Sequence, residues 1–227
     1  MRSVVLLSGG LDSTVSFTRA MQEGECAVVI HFDYGQLAAG PEAEAARRMA
    51  ARFSIPFQLI DLPWLGRISQ AEITGGKVTP AVRKDLEGSP AERSVRRLWV
   101  PNRNGLFINI GAAYAESLEA DQIVTGFNAE EAAVFPDNSL EYVEAANRAL
   151  WYSTLSHVRV HSYTQGLTKK EIVALGRSIG APLKDIWSCY GGGPAMCWNC
   201  PSCMRLRQAL EEDGSWDWFS GEIKGGE

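Results

Sequence analysis

The feature that most constrains this chain is an apolar run, residues 4–7, followed directly by the turn Ser8-Gly9-Gly10. The run predicts a buried strand, and residues 12–21 after the turn predict a helix. Two glycines let a backbone approach a ligand closely and adopt a positive φ. Consecutive amide groups and the start of a helix then form a cradle for an anion. A plain Gly-Gly turn between a strand and a helix is the alternative interpretation.

The residues around this turn narrow the kind of anion site. Ser8, Ser13 and Thr14 add hydroxyl donors. The Gly-Lys-Ser/Thr ending of the common P-loop is missing, which argues against a kinase or a GTPase. The turn resembles the pyrophosphate-binding loop of the N-type ATP pyrophosphatases, which split ATP into AMP and pyrophosphate while they adenylate a substrate. This resemblance implies ATP as a ligand.

Strand and helix patterns alternate along the chain. Strands are predicted at residues 3–7, 26–32, 57–62, 122–126 and 157–160. Helices are predicted at residues 12–21, 42–53, 104–118 and 140–156, after a capping box of Thr168 and Glu171, and from Cys203 through Leu210. Buried Val- and Ile-rich strands that alternate with helices favour an α/β fold. We expect a parallel twisted sheet with flanking helices, Rossmann-like and of the adenine nucleotide alpha hydrolase-like kind.

Two parts of the chain are expected. Residues 1–185 form the α/β domain, in which the polar insertion 64–97 is either a lid over the site or a solvated loop. Residues 186–227 form a C-terminal helical segment that binds metal. The aromatic tail with Trp216, Trp218 and Phe219 is expected at the periphery, against a neighbouring segment or a second subunit.

Composition limits the classes of function. The 227 residues suit one large domain. A formal charge of −5 argues against a broad nucleic-acid-binding surface. No stretch has the length of a membrane span and no signal-peptide pattern is recognised, so we expect a cytoplasmic protein with no membrane partner.

Four of the five cysteines lie close together in the sequence, at Cys189, Cys197, Cys200 and Cys203. Gaps of two residues let neighbouring sulfurs converge on one ion. In a cytoplasmic chain this spacing favours a metal over disulfides. Four thiolates form a closed tetrahedral site for structural zinc, with an iron–sulfur cluster as the main alternative.

The turn and the cysteines together resemble one family, 7-cyano-7-deazaguanine synthase, which converts 7-carboxy-7-deazaguanine, ammonia and ATP to the nitrile preQ0. Three further segments are similar to that family: residues 32–36, residues 100–104 with Asn102 where the family usually has Gly, and Thr125-Gly126. One segment departs. Residues 133–138 read Ala-Val-Phe-Pro-Asp-Asn, where the family usually has Ser-Gly-Tyr-Pro-Asp-Cys.

The resemblance implies roles for individual residues. Contacts to ATP are implied for Leu7, Ser8, Gly9, Gly10, Leu11, Asp12, Ser13, Thr14, Phe32, Tyr34, Gly35, Gln36 and Gly126. Contacts to the substrate are expected at Arg103, Asn104, Asn128, Glu131, Phe135, Pro136 and Asp137. The catalytic candidates are Asp12, Ser13, Arg103 and Asp33. Asp12 and Asp33 offer the oxygen ligands that Mg²⁺ prefers, although Asp12 could instead be a helix N-cap.

The expected activity is an ATP-dependent carbon–nitrogen ligase that forms the amide of 7-carboxy-7-deazaguanine and then the nitrile. The altered 128–138 loop leaves open a product that stops at the amide, or a different amine as acceptor, such as one on a peptide. A tRNA-modifying ATP pyrophosphatase and a non-catalytic nucleotide-binding module are further alternatives. The family resemblance also implies a homodimer.

Overall fold

A parallel sheet forms the centre of the molecule in the computed structural model, which describes residues 1–81 and 95–223. Within these ranges the sheet has five strands in the order β3-β2-β1-β4-β5. Every neighbouring pair of strands is parallel. The strands are β1 (Arg2–Leu6), β2 (Glu25–Asp33), β3 (Phe57–Asp61), β4 (Gln122–Val124) and β5 (Arg159–His161). The predicted α/β fold with a parallel sheet is confirmed.

Helices connect the strands and cover both faces of the sheet. They are α1 (Leu11–Glu23), α2 (Ala39–Arg52), α3 (Pro63–Ile68), α4 (Glu72–Gly75), α5 (Arg103–Ser117), α6 (Ala129–Ala132), α7 (Leu140–Ser153), α8 (Lys169–Ser178), α9 (Pro201–Glu212) and α10 (Trp216–Ile223). The predicted capping box is present, because Thr168 and Glu171 bond each other's backbone amides at the start of α8. Within the described ranges, no helix combines the length and the apolar character that crossing a bilayer requires.

The start of α2 differs from the prediction. Pro41 was expected to precede the helix, but α2 begins at Ala39 and includes Pro41 in its first turn. Proline is tolerated there because the first amide groups of a helix have no intrahelical acceptor. The earlier start matters for the site, since it sets the direction in which Glu42 leaves the first turn.

Alternation along the strands divides the core into two layers. Val4 and Ile30 pack into the layer below α5 and α7, while Val5 and Val29 pack into the layer with α1, α2, α8 and α9. Successive side chains of a strand point to opposite faces, so a strand covered by helices on both sides needs an unbroken apolar run. This explains why the central strands read as continuous Val and Ile.

The insertion at 64–97 is only partly described, because residues 82–94 lie outside the described ranges. Its first part forms α3 and α4 and packs on the core, with Leu65 1% and Ile73 4% exposed. Ile73 and Val95 of the insertion line the cavity described below, as does Leu98 directly after it. The described ends of the insertion are therefore part of the cavity wall, and whether the whole segment acts as a lid stays a prediction.

The aromatic tail is less peripheral than expected. Phe219 is 2% exposed and packs into the same core layer as Val5 and Leu210. Trp216 meets Trp198 edge to face, with ring centroids 5.1 Å apart. α10 therefore closes the core of its own chain, and residues 224–227 lie outside the described ranges.

Candidate active site

A cavity of about 260 Å³ lies at the carboxyl edge of the sheet. Residues that follow β1, β2 and β4 reach it, as expected for a ligand site in an open α/β sheet. The predicted site residues that line it are Leu7, Ser8, Gly10, Leu11, Asp12, Ser13, Phe32, Tyr34, Gln36, Arg103, Asn104, Gly126, Glu131 and Phe135. Most of the residues proposed to contact ATP or substrate therefore surround one space.

The other predicted residues lie outside this described lining: Gly9, Thr14, Asp33, Gly35, Asn128, Pro136 and Asp137. Some of them shape the backbone. Asp33 accepts a hydrogen bond at 2.9 Å from the amide of Gly35, and Asn128 caps α6 by accepting one from the amide of Glu131. Thr14 is buried, and its hydroxyl points to the sulfur of Met49. In this structure these residues support the cavity wall.

The turn between β1 and α1 needs its first glycine. Gly9 has a φ of +82°, and a Cβ there would lie 2.8 Å from the Glu42 carbonyl oxygen. α2 therefore packs directly on the turn. Beside it, the hydroxyl oxygens of Ser8 and Ser13 are 2.9 Å apart. The turn presents hydroxyls and amide groups in a fixed arrangement, which is the geometry of an anion cradle.

One lysine joins two predicted acidic residues. The ammonium group of Lys169 contacts Asp12 and donates to Glu131 at 2.9 Å. Lys169 is 8% exposed and lies at the first position of α8. Sequence reasoning missed it, although a lysine placed against the positive end of a helix dipole is a signal that it has another partner. The two carboxyl groups share one buried cation.

Asp12 is not a helix N-cap, so that alternative is wrong. The N-cap of α1 is Gly10, and Asp12 lies in the first turn. Burial raises the pKa of Asp12 to about 6, with Lys169 opposing the shift. Its Oδ1 is buried and has no hydrogen-bond partner among the described residues. This free oxygen fits Mg²⁺, a hard cation that prefers carboxylate ligands. Asp33, the other candidate ligand for Mg²⁺, accepts a hydrogen bond from the amide of Gly35 and is not among the residues that line the cavity.

A second cluster of polar groups lies across the cavity. Gln36 bonds the amide of Tyr34 and the carbonyl of Phe32, and donates to Glu42 at 2.9 Å. Arg103 donates to the Tyr34 hydroxyl at 3.1 Å. Burial raises the pKa of Glu42 to about 7, and the hydrogen bond from Gln36 opposes this shift only in part. Glu42 was not predicted, because nothing in its local sequence distinguishes it from Glu44.

Aromatic rings form a flat part of the lining. The rings of Phe32 and Phe107 are stacked, with centroids 3.9 Å apart and an interplanar angle of 4°. Tyr34 contacts Phe107 with centroids 5.7 Å apart. All three residues line the cavity. The cavity thus combines an apolar aromatic wall with a few convergent polar groups, which is typical of a site for a small ligand.

Asn102 stands where the family that this chain resembles usually has glycine, and its backbone conformation is one that glycine also adopts. It has a left-handed φ of +51° and is the N-cap of α5, directly before Arg103. Asparagine is one of the few residues other than glycine that adopt this conformation routinely. Asn102 therefore provides, without glycine, the left-handed backbone that directly precedes Arg103.

The four cysteines converge as predicted. Their sulfur atoms all lie within 4.8 Å of one another. A zinc tetrahedron with Zn–S distances of about 2.3 Å separates its sulfurs by roughly 3.8 Å, so small adjustments would close it. The amides of Gly191 and Cys200 point to the sulfurs of Cys189 and Cys197 at 3.3 Å, which stabilises thiolates. The cluster fits a structural zinc ion, because the four sulfurs would fill all four coordination positions and leave none for water.

The cysteine segment is joined to the cavity. The backbone amide of Trp187 donates to the Gly9 carbonyl at 2.8 Å. Residues of the segment that line the cavity are Trp187, Ser188, Tyr190, Pro201, Ser202, Arg205 and Leu206. The wall of the cavity is therefore built from both of the expected parts of the chain, and the boundary at 185 remains a prediction about sequence organisation.

The fold and the cavity define an α/β protein with an anion-binding turn at the carboxyl edge of a parallel sheet, next to a closed cysteine cluster. Comparison with known proteins identifies the family. Residues 2–214 match the family described as "Queuosine biosynthesis protein QueC", and the chain belongs to it. The predicted family, and with it an enzyme of the carbon–nitrogen ligase class, is confirmed.

Several relatives that match nearly the whole chain are named 7-cyano-7-deazaguanine synthase, among them the following three. The protein from Pelotomaculum thermopropionicum is 52% identical over 217 residues, covering 94% of this chain and 98% of its own length. The protein from Carboxydothermus hydrogenoformans is 50% identical, covering 92% and 97%. The protein from Desulforudis audaxviator is 46% identical, covering 94% and 98%.

Proposed function

We propose that this chain is an ATP-dependent ligase that activates the carboxylate of 7-carboxy-7-deazaguanine as an acyl-adenylate and combines it with ammonia, first to the amide and then to 7-cyano-7-deazaguanine. The observation that carries the proposal is the cavity, in which an anion cradle faces an aromatic wall and buried charges. The names of relatives that match over nearly the whole chain support the same product.

The cradle suits the phosphates of ATP. When the substrate carboxylate attacks the α-phosphorus, the bond to pyrophosphate breaks and negative charge builds on the leaving oxygen. The amide groups after Gly9, the Ser13 hydroxyl and the ammonium of Lys169 are positioned to stabilise this charge. Arg103 lies across the cavity, where it can hold a second anionic group.

Asp12 is the residue that would hold Mg²⁺, through its free Oδ1. A cation held by Asp12 would supply positive charge next to the phosphates of ATP. Lys169 then keeps the other oxygen of Asp12 in place. For Asp33 we propose only a structural role in the turn at Gly35.

The deazaguanine ring suits the aromatic wall of Phe32, Tyr34 and Phe107. From the altered loop, Glu131, Phe135 and Asn138 line the cavity. Phe135 lies in the position where the family usually has Tyr, so an aromatic ring is kept there. We therefore propose that the loop still binds the deazaguanine and that its changes leave the reaction as it is.

We further propose zinc at the four cysteines, where it fixes the segment that carries Trp187 and Ser188 to the cavity. We also propose a cytoplasmic location, where cysteine thiols stay reduced and can bind a metal. A homodimer, implied by the family resemblance, is part of the proposal. Trp151, Tyr152 and Leu155 at the end of α7 are 58%, 89% and 94% exposed and are the surface we expect a second copy to cover.

The test is to incubate the purified protein with ATP, Mg²⁺, 7-carboxy-7-deazaguanine and ammonium, and to measure nucleotide and deazaguanine masses together. We expect AMP and the nitrile. AMP with the amide alone would keep the activation step and show that the product differs. No consumption of either compound would reject the proposed function.

A further inference from the structure

Three carboxyl groups line the described part of the cavity: Asp12, Glu42 and Glu131. Asp12 and Glu131 share the ammonium group of Lys169. Glu42 makes no ion pair with any described residue, and its hydrogen-bond partner is the neutral amide of Gln36. The cavity therefore contains one carboxyl group whose cationic partner is not supplied by the described protein.

The surroundings hold Glu42 firmly. On one side, its backbone carbonyl packs on Gly9, so that helix α2 cannot shift without moving the anion cradle. On the other side, Gln36 is fixed by hydrogen bonds to the backbone of Phe32 and Tyr34. The carboxyl group is thus placed between the cradle and the end of β2, next to the position where we expect the acyl-adenylate.

We propose that Glu42 binds the ammonium ion and removes a proton from it, so that ammonia is generated beside the activated carboxylate. The inference rests on the proposed function, because it needs an acyl-adenylate to react with. A carboxylate accepts hydrogen bonds from N–H groups, and the ammonium ion would be the cationic partner that the described residues do not provide for Glu42.

One proton of NH₄⁺ moves to the Glu42 carboxylate, and the freed nitrogen lone pair forms a C–N bond to the acyl carbon. The C–O bond to AMP then breaks, and AMP leaves with the electron pair. The nitrogen loses one more proton to water as the amide forms, and Glu42 returns its own proton to water before the next cycle.

The charges near Glu42 suit this role. Burial is the main cause that raises the pKa of Glu42; the positive charge of Arg103 lowers it, and the negative charge of Asp33 raises it to a smaller extent. Tyr34, whose hydroxyl accepts a hydrogen bond from Arg103, is a further titratable group near Glu42. A base whose pKa lies close to the working pH exchanges protons in both directions, which general acid–base catalysis requires.

The experiment compares Glu42→Gln with Glu44→Gln, which removes an exposed carboxylate from the same helix. Three reactions separate the steps. ATP–pyrophosphate exchange with 7-carboxy-7-deazaguanine measures adenylation without any amine. Hydroxylamine, which is unprotonated at neutral pH, traps the acyl-adenylate without a base. Ammonium consumption, followed across pH, measures the proposed step.

We expect E42Q to keep exchange and hydroxamate formation, and to lose about 10²- to 10⁴-fold in kcat/KM for ammonium. Its remaining rate should rise with pH in proportion to free ammonia, whereas the E44Q variant should follow the wild type. Three results for E42Q would overturn the inference and leave the proposed function standing. They are a loss of ATP–pyrophosphate exchange, an equal fall in the rate with hydroxylamine, and an unchanged rate with ammonium. Absence of exchange in the wild type would reject the proposed function, and the inference with it.

Discussion

Gly126 lies directly against Ser13, because a Cβ at Gly126 would be 2.5 Å from the Ser13 amide nitrogen and 2.8 Å from its Cα. The end of β4 and the first turn of α1 therefore touch through their backbones. This contact brings two distant parts of the chain to the same wall of the cavity, with no side chain between them.

The Gly126→Ala substitution is expected to destabilise the protein by about 2 kcal/mol or more and to weaken ATP binding, since a helix backbone cannot move aside as a side chain can. Urea unfolding and ATP titration measure the two effects. Gly40→Ala is the matched control, because a Cβ at Gly40 meets nothing within 4 Å. A G126A variant with unchanged stability and affinity would contradict the contact.

Removal of the shared cation by Lys169→Met should cost activity and stability together. Asp12 and Glu131, whose side chains are 15% and 30% exposed, lose the cation that they share. We expect a cost of at most about 3–5 kcal/mol in the free energy of unfolding, the range for breaking a fully buried pair. AMP formation should fall by about 10²- to 10³-fold, as for loss of one charge-stabilising donor. The adjacent exposed Lys170, changed to Met, serves as control. Normal AMP formation by K169M would exclude Lys169 from the phosphate site.

The raised pKa of Glu42 predicts that its contribution to the stability of the folded protein falls as pH rises. Its pKa in the folded protein is raised from 4.5 to about 7, so the folded state holds the proton more tightly than the unfolded state. The resulting stabilisation is complete below pH 4.5 and is lost as pH rises through 7. Part of the Glu42 side chain is accessible to solvent, which reduces the expected effect. Between pH 5 and pH 8, we expect the free energy of unfolding of E42Q to rise by only about 1–2 kcal/mol relative to that of the wild type.

Urea unfolding of both proteins across this range measures the difference. The Glu44→Gln variant, which lacks an exposed carboxylate of the same helix, should track the wild type. If the gap between wild type and E42Q stays constant with pH, Glu42 does not hold a proton more tightly in the folded state.

Metal analysis should give one zinc ion per chain, and its removal by a chelator should loosen the C-terminal segment and lower ATP affinity. Both effects follow from one arrangement, because the segment that holds the metal also bonds the Gly9 carbonyl. Cys203→Ser should reproduce them, and Cys26→Ser, in β2, should not. An unchanged thermal transition after verified metal loss would contradict a structural role.

Local patterns were enough to predict the scaffold and the cysteine cluster. Strands buried on both faces must be continuously apolar, as Val4 and Val5 show, and the C-x-x-C-x-x-C spacing brings sulfurs together over a short stretch. The start of α2 was missed because proline is compatible with both a boundary and a first turn.

Glu42 and Lys169, the cavity residues that the sequence did not predict, were missed for a different reason. Glu42 and Lys169 lie in the first turns of α2 and α8, and only the strand order brings those turns to one edge of the sheet. A side chain whose partners come from elsewhere in the chain carries no local signature. Phe219 was misplaced for the same reason, since an aromatic tail has the same sequence whether it packs on its own core or on another subunit.

The bond from Trp187 to Gly9 also sets an order for biosynthesis. The anion-binding turn is synthesised before Trp187, so the Gly9 carbonyl receives this partner only after the segment that precedes the cysteines has been made. A nascent chain, or a product shortened by premature termination, therefore contains the turn without the contact that completes it. We therefore expect chains that end before Trp187 to bind nucleotide more weakly than chains that contain it.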